Sequence, residues 1–198
     1  QTQESIGLSF DRALRSMLRH DPDVMLVGEV RDAETAKIAI NIALTGHLVL
    51  STIHSNNAAG TFTRLLDMGI EPHFIASSLE CVIAQSLVRV LCPHCKVVEH
   101  LTDQYMHEIA FSNPSHEPVY TAQGCPHCQN TGYRGRTAIH EVIVVDDSIR
   151  SLILKRAAAH EISRAVFETG VRSLRQSGFE KVRQGITSIS EVLDASYD

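Results

Sequence analysis

Two identical tetrapeptides, Cys92-Pro93-His94-Cys95 and Cys125-Pro126-His127-Cys128, hold four of the five cysteines of this chain. A Cys-x-x-Cys turn presents two thiolates from one bend, so a pair of such turns supplies the four ligands of a closed tetrahedral zinc site. A four-sulfur shell leaves no open position for a substrate, and the zinc implied is structural. The same tetrapeptide also fits a dithiol redox pair, in which a helix N-terminus lowers a thiol pKa, or simply unliganded thiols. The redox reading needs a thioredoxin-like strand ahead of one active pair, whereas both pairs here lie inside a polar insertion. With four thiolates engaged, His94 and His127 are spare imidazoles on exposed turns. Cys81, in the apolar stretch SLECVIAQSLV, reads as a buried structural thiol.

The second group able to do chemistry is Glu29, which follows Val24-Met25-Leu26-Val27-Gly28. A short apolar run after Asp21-Pro22-Asp23 predicts a strand buried on both faces, as in helix-covered parallel sheets. Ligands bind such sheets at the carboxyl ends of the strands, where Glu29 stands. Gly28 would let a ligand or another backbone approach. His54 follows a second apolar run, Leu48-Val49-Leu50-Ser51-Thr52-Ile53, and His47 opens it. Hydrolysis of a nucleotide needs a phosphate cradle, a metal and a positioner for the attacking water. Glu29 suits the last role, and His54 could contact a γ-phosphate. A solvated loop carboxylate is the plain alternative for Glu29, and a satisfied strand-edge imidazole for His47. No Gly-x-x-x-x-Gly-Lys-Ser/Thr loop occurs in these residues. Either the chain is no nucleotide enzyme, or its cradle lies upstream of Gln1.

These residues need elements to hold them. Ser9 can cap a helix over Phe10–His20, Asp32 one over Ala33–Leu44 closed by Thr45-Gly46, and Asn57 one over Ala58–Met68 closed by Gly69. Helix, strand, helix, strand, helix predicts an α/β unit with a parallel sheet whose strand ends present Glu29 and His54 on one edge. Glu71–Arg89 reads as helix and then a strand around Leu87–Leu91. The composition turns polar from Cys92 to Arg136. A strand then returns over Thr137–Val145, and helices follow near Ser148–Arg156, Glu161–Glu168, Leu174–Gln184 and Ser190–Ala195. Arg164, Arg172, Arg175, Lys181 and Arg183 on these helices read as a solvated face or subunit contact, with a membrane-surface role as the alternative.

With 198 residues, 43% of them hydrophobic, the chain can bury a sizeable core. A formal net charge of -5 carries no basic signature for nucleic acid. No apolar run is long enough to span a bilayer, and QTQESIGLSF lacks the regions of a signal peptide. The thiol usage points to a reducing, cytosolic compartment. The missing initiator Met suggests a fragment of a longer protein.

The run LRSMLRHDPDVMLVGEVRDAETA followed by LTGHLVLSTIHSNNA resembles the Walker B and histidine boxes of the secretion ATPase superfamily, the hexameric motors of type II secretion and type IV pilus assembly. The two cysteine pairs and GYRGRTAIHEVIVVDD resemble the type II secretion and pilus assembly members, since retraction ATPases lack the tetracysteine insertion. The likeness extends from about Gly7 to the end. It implies an α/β fold: residues 1–91 as the C-terminal half of a RecA-like P-loop core, 92–135 as a zinc subdomain, and 136–198 as a returning strand with a helical region. It further implies ATP and Mg as cofactors of the intact protein. Glu29 would activate the hydrolytic water, with Gly28 where many P-loop enzymes keep a metal-binding acid. Arg31 and Asp32 would couple this box to a neighbouring element, His47 and His54 would lie near the γ-phosphate, and Gly135 and Arg136 near the adenine. The intact protein would be a homo-hexamer, cytoplasmic at the inner membrane face and held there by platform partners. The phosphate loop and aspartate box of the family precede the Walker B segment and are not in this chain, so the chain alone should hydrolyse ATP negligibly. Ser86 replaces a common Arg, and Ala138 a common Gly.

Overall fold

The computed structural model describes residues 16–17, 19–20, 22–55, 57–114 and 117–196. The helix expected over Phe10–His20 falls largely outside them. The described residues form two compact units, one up to Val82 together with Ile143–Thr169, the other Ile83–Val142 with the segment from Gly170 onward.

The first unit begins with strand β1 (Val24–Val30), helix α1 (Ala33–Leu44) and strand β2 (Leu48–Ile53), a right-length crossover for a parallel pair. β1 and β2 are indeed parallel, with Val24 opposite Leu48 and Val27 opposite Ser51. Asp32 caps α1 by accepting the Thr35 N–H at 2.8 Å, which holds its carboxyl below the ordinary value. Asn57 likewise caps α2 (Ala58–Asp67) through Gly60 N–H at 2.8 Å. Both starts and caps agree with the sequence expectation. Met25, Val27 and Ile42 form the core between strands and α1, with Ile38 and Val49 against it.

β1 departs from the expected burial on both faces. Its residues alternate, and the face away from α1 leaves Leu26 74% exposed, beside Val24, Leu48 and Leu50 at about half. Among the described residues α1 covers one face, and the apolar run is buried on that side. Helices α3 (Pro72–Ser78), α5 (Asp147–Leu154) and α6 (Ala159–Glu168) complete the unit, α4 (Asp103–Glu108) lying in the other. Arg150 ties α5 to α3, donating to the Ala76 carbonyl and to the Glu80 carboxylate.

The second unit is built on β3 (Cys81–Leu91) paired with β6 (Tyr133–Val144). β3 is longer than the expected strand around Leu87–Leu91. Cys81, at its start, is exposed rather than buried. Strand alternation turns its side chain to the open face, where Ile83 and Leu87 also stand exposed. The insertion is an antiparallel pair, β4 (Lys96–Glu99) and β5 (Val119–Ala122), with helix α4 (Asp103–Glu108) between them. Helices α7 (Leu174–Arg183) and α8 (Ile189–Ala195) pack on it through Phe111, Val119, Phe179, Val182, Ile189 and Val192. A Cβ on Gly178 would lie 2.4 Å from a Val192 methyl, so glycine is what lets α7 and α8 approach this closely. Arg175, Lys181 and Arg183 bond to Ser196, Thr137 and Ser112, so these cations anchor the helices within the chain. Among the described residues no helix is long and apolar enough to cross a membrane.

An ion pair between buried Glu191 and the exposed Arg89 side chain fastens α8. Glu191, 9% exposed, accepts from the Arg89 guanidinium and from the Arg89 N–H at 2.9 Å. Arg89 also stacks 4.1 Å over the Tyr133 ring, whose hydroxyl meets Ser188 at 2.9 Å. The Arg89 hydrogen bond holds the Glu191 carboxyl below its ordinary value against the opposing effect of burial. A depressed carboxyl stabilises the fold above its unfolded pKa, about 4.3, and that contribution is lost as pH falls through the lower folded value. Glu191→Gln is therefore expected to cost about 1–3 kcal/mol at pH 7, with the gap to wild type closing below about pH 4, as read by urea unfolding at the two pH values.

Candidate functional site

The ladder between β1 and β2 breaks where the chemistry was expected. Val27 faces Ser51 and Val30 faces Ile53, so Gly28 and Glu29 together face the single residue Thr52. This is a bulge, which bends a strand and re-aims its side chains. Glu29 leaves it beside two basic side chains. Arg31 Nε donates to Glu29 Oε2 at 2.6 Å, and His54 Nε2 lies 2.8 Å from Oε1. The His54 contact is an ion pair when the imidazole is protonated. Oε1 is itself shielded from solvent and has no hydrogen-bond partner. The Glu29 side chain is 20% exposed, against 77% for Arg31 and 92% for His54. A sheltered carboxylate oxygen that accepts no hydrogen bond, with the His54 imidazole 2.8 Å away, can take a proton from water while Oε2 stays fixed by Arg31.

The other residues expected here are placed elsewhere. His47 sits at the opposite end of β2, with Nδ1 2.9 Å from Thr45 Oγ1 and 3.2 Å from the Ile42 carbonyl, closing the C-terminus of α1. A six-residue strand puts it about 20 Å from the Glu29 end. Gly28 borders the bulge, and a Cβ there would meet nothing within 4 Å. Gly135, with φ +81°, and the exposed Arg136 lie in β6 of the second unit.

The cysteines converge in the second unit. Their four Sγ atoms all lie within 4.8 Å of one another, with Cys92–Cys125 at 3.9 Å and Cys95–Cys128 and Cys125–Cys128 at 3.8 Å. Bonds of about 2.3 Å to one tetrahedral ion place sulfurs about 3.8 Å apart, whereas a disulfide needs about 2.05 Å. The donor set therefore fits a thiophilic cation with all four thiols unbridged. Burial pushes the Cys95 thiol up to about 12. Burial also raises Cys128, but N–H groups of Cys125 and Gly132, each 3.2 Å from its sulfur, bring it down to about 6. Four thiolates this close repel, and a divalent cation is what allows all of them to ionise. A redox dithiol would need one exposed reactive pair, while Cys92, Cys95 and Cys128 are buried. His94 and His127 stand exposed outside the sulfur shell, their rings stacked at 4.4 Å.

Two supporting residues escaped the sequence reading. Thr52 Oγ1 donates to the Gly28 carbonyl at 2.8 Å across the bulge. Gly132 gives its N–H to Cys128 Sγ and its carbonyl to the Cys92 N–H at 2.9 Å, and its φ is +76°. A glycine four residues past the second Cys-x-x-Cys was the available signal for the latter. Nothing local marks Thr52.

Residues 1–194 match the family described as type II/IV secretion system protein. The chain is 49% identical over 195 residues to type II secretion system ATPase E of Vibrio cholerae, covering 98% of the chain and 38% of that protein. It is 47% identical over 195 residues to type IV pilus assembly ATPase PilB of Thermus thermophilus, covering 98% of the chain and 22% of that protein. The chain thus spans well under half the length of these curated relatives. Among solved structures, the pilus retraction motor PilT with bound ADP superposes with a TM-score of 0.66 at 25% identity, over 96% of this chain and 44% of that one. The ATPase DotB of Legionella pneumophila shares the fold, with a TM-score of 0.62 at 24% identity over 93% and 41% of the two chains. An α/β fold matching these ATPases, a family match across nearly every residue, and relatives near half identity place the chain in the type II/IV secretion system protein family.

Proposed function

We propose that this chain is the C-terminal part of an ATPase motor that hydrolyses ATP to drive pseudopilus assembly in type II protein secretion. The observation that carries this reading is the sheltered Glu29 carboxylate at a strand-end bulge, its Oε1 accepting no hydrogen bond and standing 2.8 Å from His54 Nε2, in a chain whose relatives are named secretion and pilus assembly ATPases. In the proposed step, a water oxygen bonds to the γ-phosphorus, the bond to the ADP oxygen breaks, and Glu29 takes the proton released by the water. Arg31 fixes the other carboxylate oxygen, and His54 stands where it could reach the γ-phosphate. His47 contributes by closing α1 and setting the entry of β2. Gly28 leaves room at the strand end, and we assign Gly135 and Arg136 to contact with the adenine.

We assign residues 1–91 to the C-terminal half of a RecA-like core, 92–135 to a tetracysteine zinc subdomain, and 136–198 to the returning strand and helical region. The exposed apolar face of Val24, Leu26, Leu48 and Leu50 supports the first assignment, because a half core leaves a sheet face for its missing half. The phosphate loop, absent from these 198 residues, would then come from upstream sequence, with Mg held against the phosphates. The isolated chain should hydrolyse ATP negligibly. In the intact protein the reading carries a homo-hexamer at the cytoplasmic face of the inner membrane, recruited by membrane platform proteins and not by nucleic acid.

Type IV pilus assembly is the second reading, favoured by 47% identity to PilB. Complementation separates the two. The full-length protein is expected to restore export in a host deleted for its type II ATPase, to at least about half the native level, and to leave a host deleted for its pilus assembly ATPase without pili. The opposite pattern selects pilus assembly. Rescue by a full-length protein that turns over no ATP would instead favour a non-catalytic zinc-binding interaction module.

A further inference from the structure

We propose that Thr52 is a positioning residue for the hydrolytic step: its hydroxyl locks the bulge at Gly28 and thereby aims the carboxylate of Glu29. The inference rests on the catalytic reading of Glu29 above. Where two residues face one, a ladder loses its regular donors and acceptors, and a carbonyl left without its usual partner lets the peptide rotate. Here the Gly28 carbonyl accepts from a side chain, Thr52 Oγ1, at 2.8 Å.

Nothing steric does the same work. Gly28 has no Cβ, and one built there would touch nothing within 4 Å, so packing does not set the plane of the peptide that leads into Glu29. The hydroxyl is the fixed point on that side. The same strand acts twice on the carboxylate, because two residues further on His54 Nε2 lies 2.8 Å from Oε1. Thr52 thus holds the backbone under Glu29 while His54 stands beside its head. Thr52 is exposed in β2 and reaches none of the carboxylate oxygens, so its effect would pass through Glu29 alone.

The test uses the full-length protein and MgATP. Thr52→Val keeps the branched shape and removes only the hydroxyl, while Thr52→Ser keeps the hydroxyl. The valine variant is expected to lose about 10- to 100-fold in kcat. Its KM should stay within about two-fold, since an interaction realised only in the transition state is what is lost. The serine variant should return to within about three-fold of wild type, because it can make the same bond. On a Glu29→Gln background, Thr52→Val should add no further loss, as expected of residues that act as one unit. Thr52→Ala, which adds no bulk, gives the same readout should valine disturb the strand. Wild-type kcat in both hydroxyl-free variants, a serine variant as slow as valine, or a loss confined to KM would each overturn the proposal. If Glu29→Gln itself turns over at the wild-type rate, the reading of Glu29 falls and this proposal with it. An inactive Glu29→Gln beside a fast Thr52→Val overturns the positioning role alone.

Discussion

Glu29→Gln in the full-length protein is expected to lower ATP turnover by about 10²- to 10⁴-fold while leaving nucleotide affinity within about three-fold of wild type. Glutamine matches glutamate in size and keeps an acceptor for Arg31 Nε, which now lies 2.6 Å from Oε2. It cannot take a proton. Binding energy comes from the phosphate cradle, which the substitution leaves alone, so the loss should fall on kcat. Glu29→Asp is the useful companion. It retains the base but withdraws it by one methylene from a position set by the bulge and by Arg31, and should land between wild type and glutamine. A glutamine variant with wild-type kcat would return Glu29 to the solvated loop carboxylate that its sequence alone also permits. Arg31→Ala would free Oε2 and is informative about how the carboxylate is held, since 77% of that side chain is exposed and its pairing energy in solvent is small.

Local signals made the frame of this site legible. The boundaries of α1 and α2 follow from Asp32 and Asn57, whose side chains satisfy N–H groups that no helical bond reaches. The cysteine tetrad was equally plain, because two like turns carry their ligand spacing in four letters each. What stayed hidden depends on register and on distant partners. A bulge is a mismatch between two strands 24 residues apart, and neither Gly28 nor Thr52 states it alone. His47 was grouped with His54 because they flank one strand. Six residues of extended chain put them at opposite ends, and His47 finds a helix terminus to close. Two-faced burial of β1 needs a covering layer on each face, and among the described residues Leu26 stands exposed on the face away from α1. The apolar composition around Cys81 points to burial, but the stretch is a strand whose alternation sends every second residue outward, Cys81 among them.

With zinc bound at the tetracysteine cluster, as its donor set fits, removing that ion should be the most destructive change to the second unit. A structural zinc site of this type contributes about 10–16 kcal/mol of apparent binding free energy at pH 7, more than a small domain usually has to spare. The strands and helix of residues 96–122 leave and return through the two cysteine turns, so losing the ion releases both ends of that excursion at once. Zinc is expected at about one equivalent per chain. Cys92→Ser should lower that content to below about a tenth, because an alcohol does not ionise to give the soft anion that the site requires. Gly132→Ala tests the same cluster without touching a ligand. Its φ of +76° disfavours any Cβ, and the added carbon would lie 2.5 Å from Ala122 Cβ, with the Ala122 backbone close behind. Relief must move the Gly132 peptide, which gives its N–H to Cys128 and its carbonyl to Cys92. Zinc affinity should fall about 10- to 100-fold, read by competition with a chromophoric chelator, and the thermal midpoint should become zinc-dependent. A dithiol redox centre predicts the reverse ordering: activity lost in Cys92→Ser with chelators inert, and little effect at residue 132. Unchanged zinc binding in Gly132→Ala would mean that the sulfurs hold their ion without help from the backbone around Cys128.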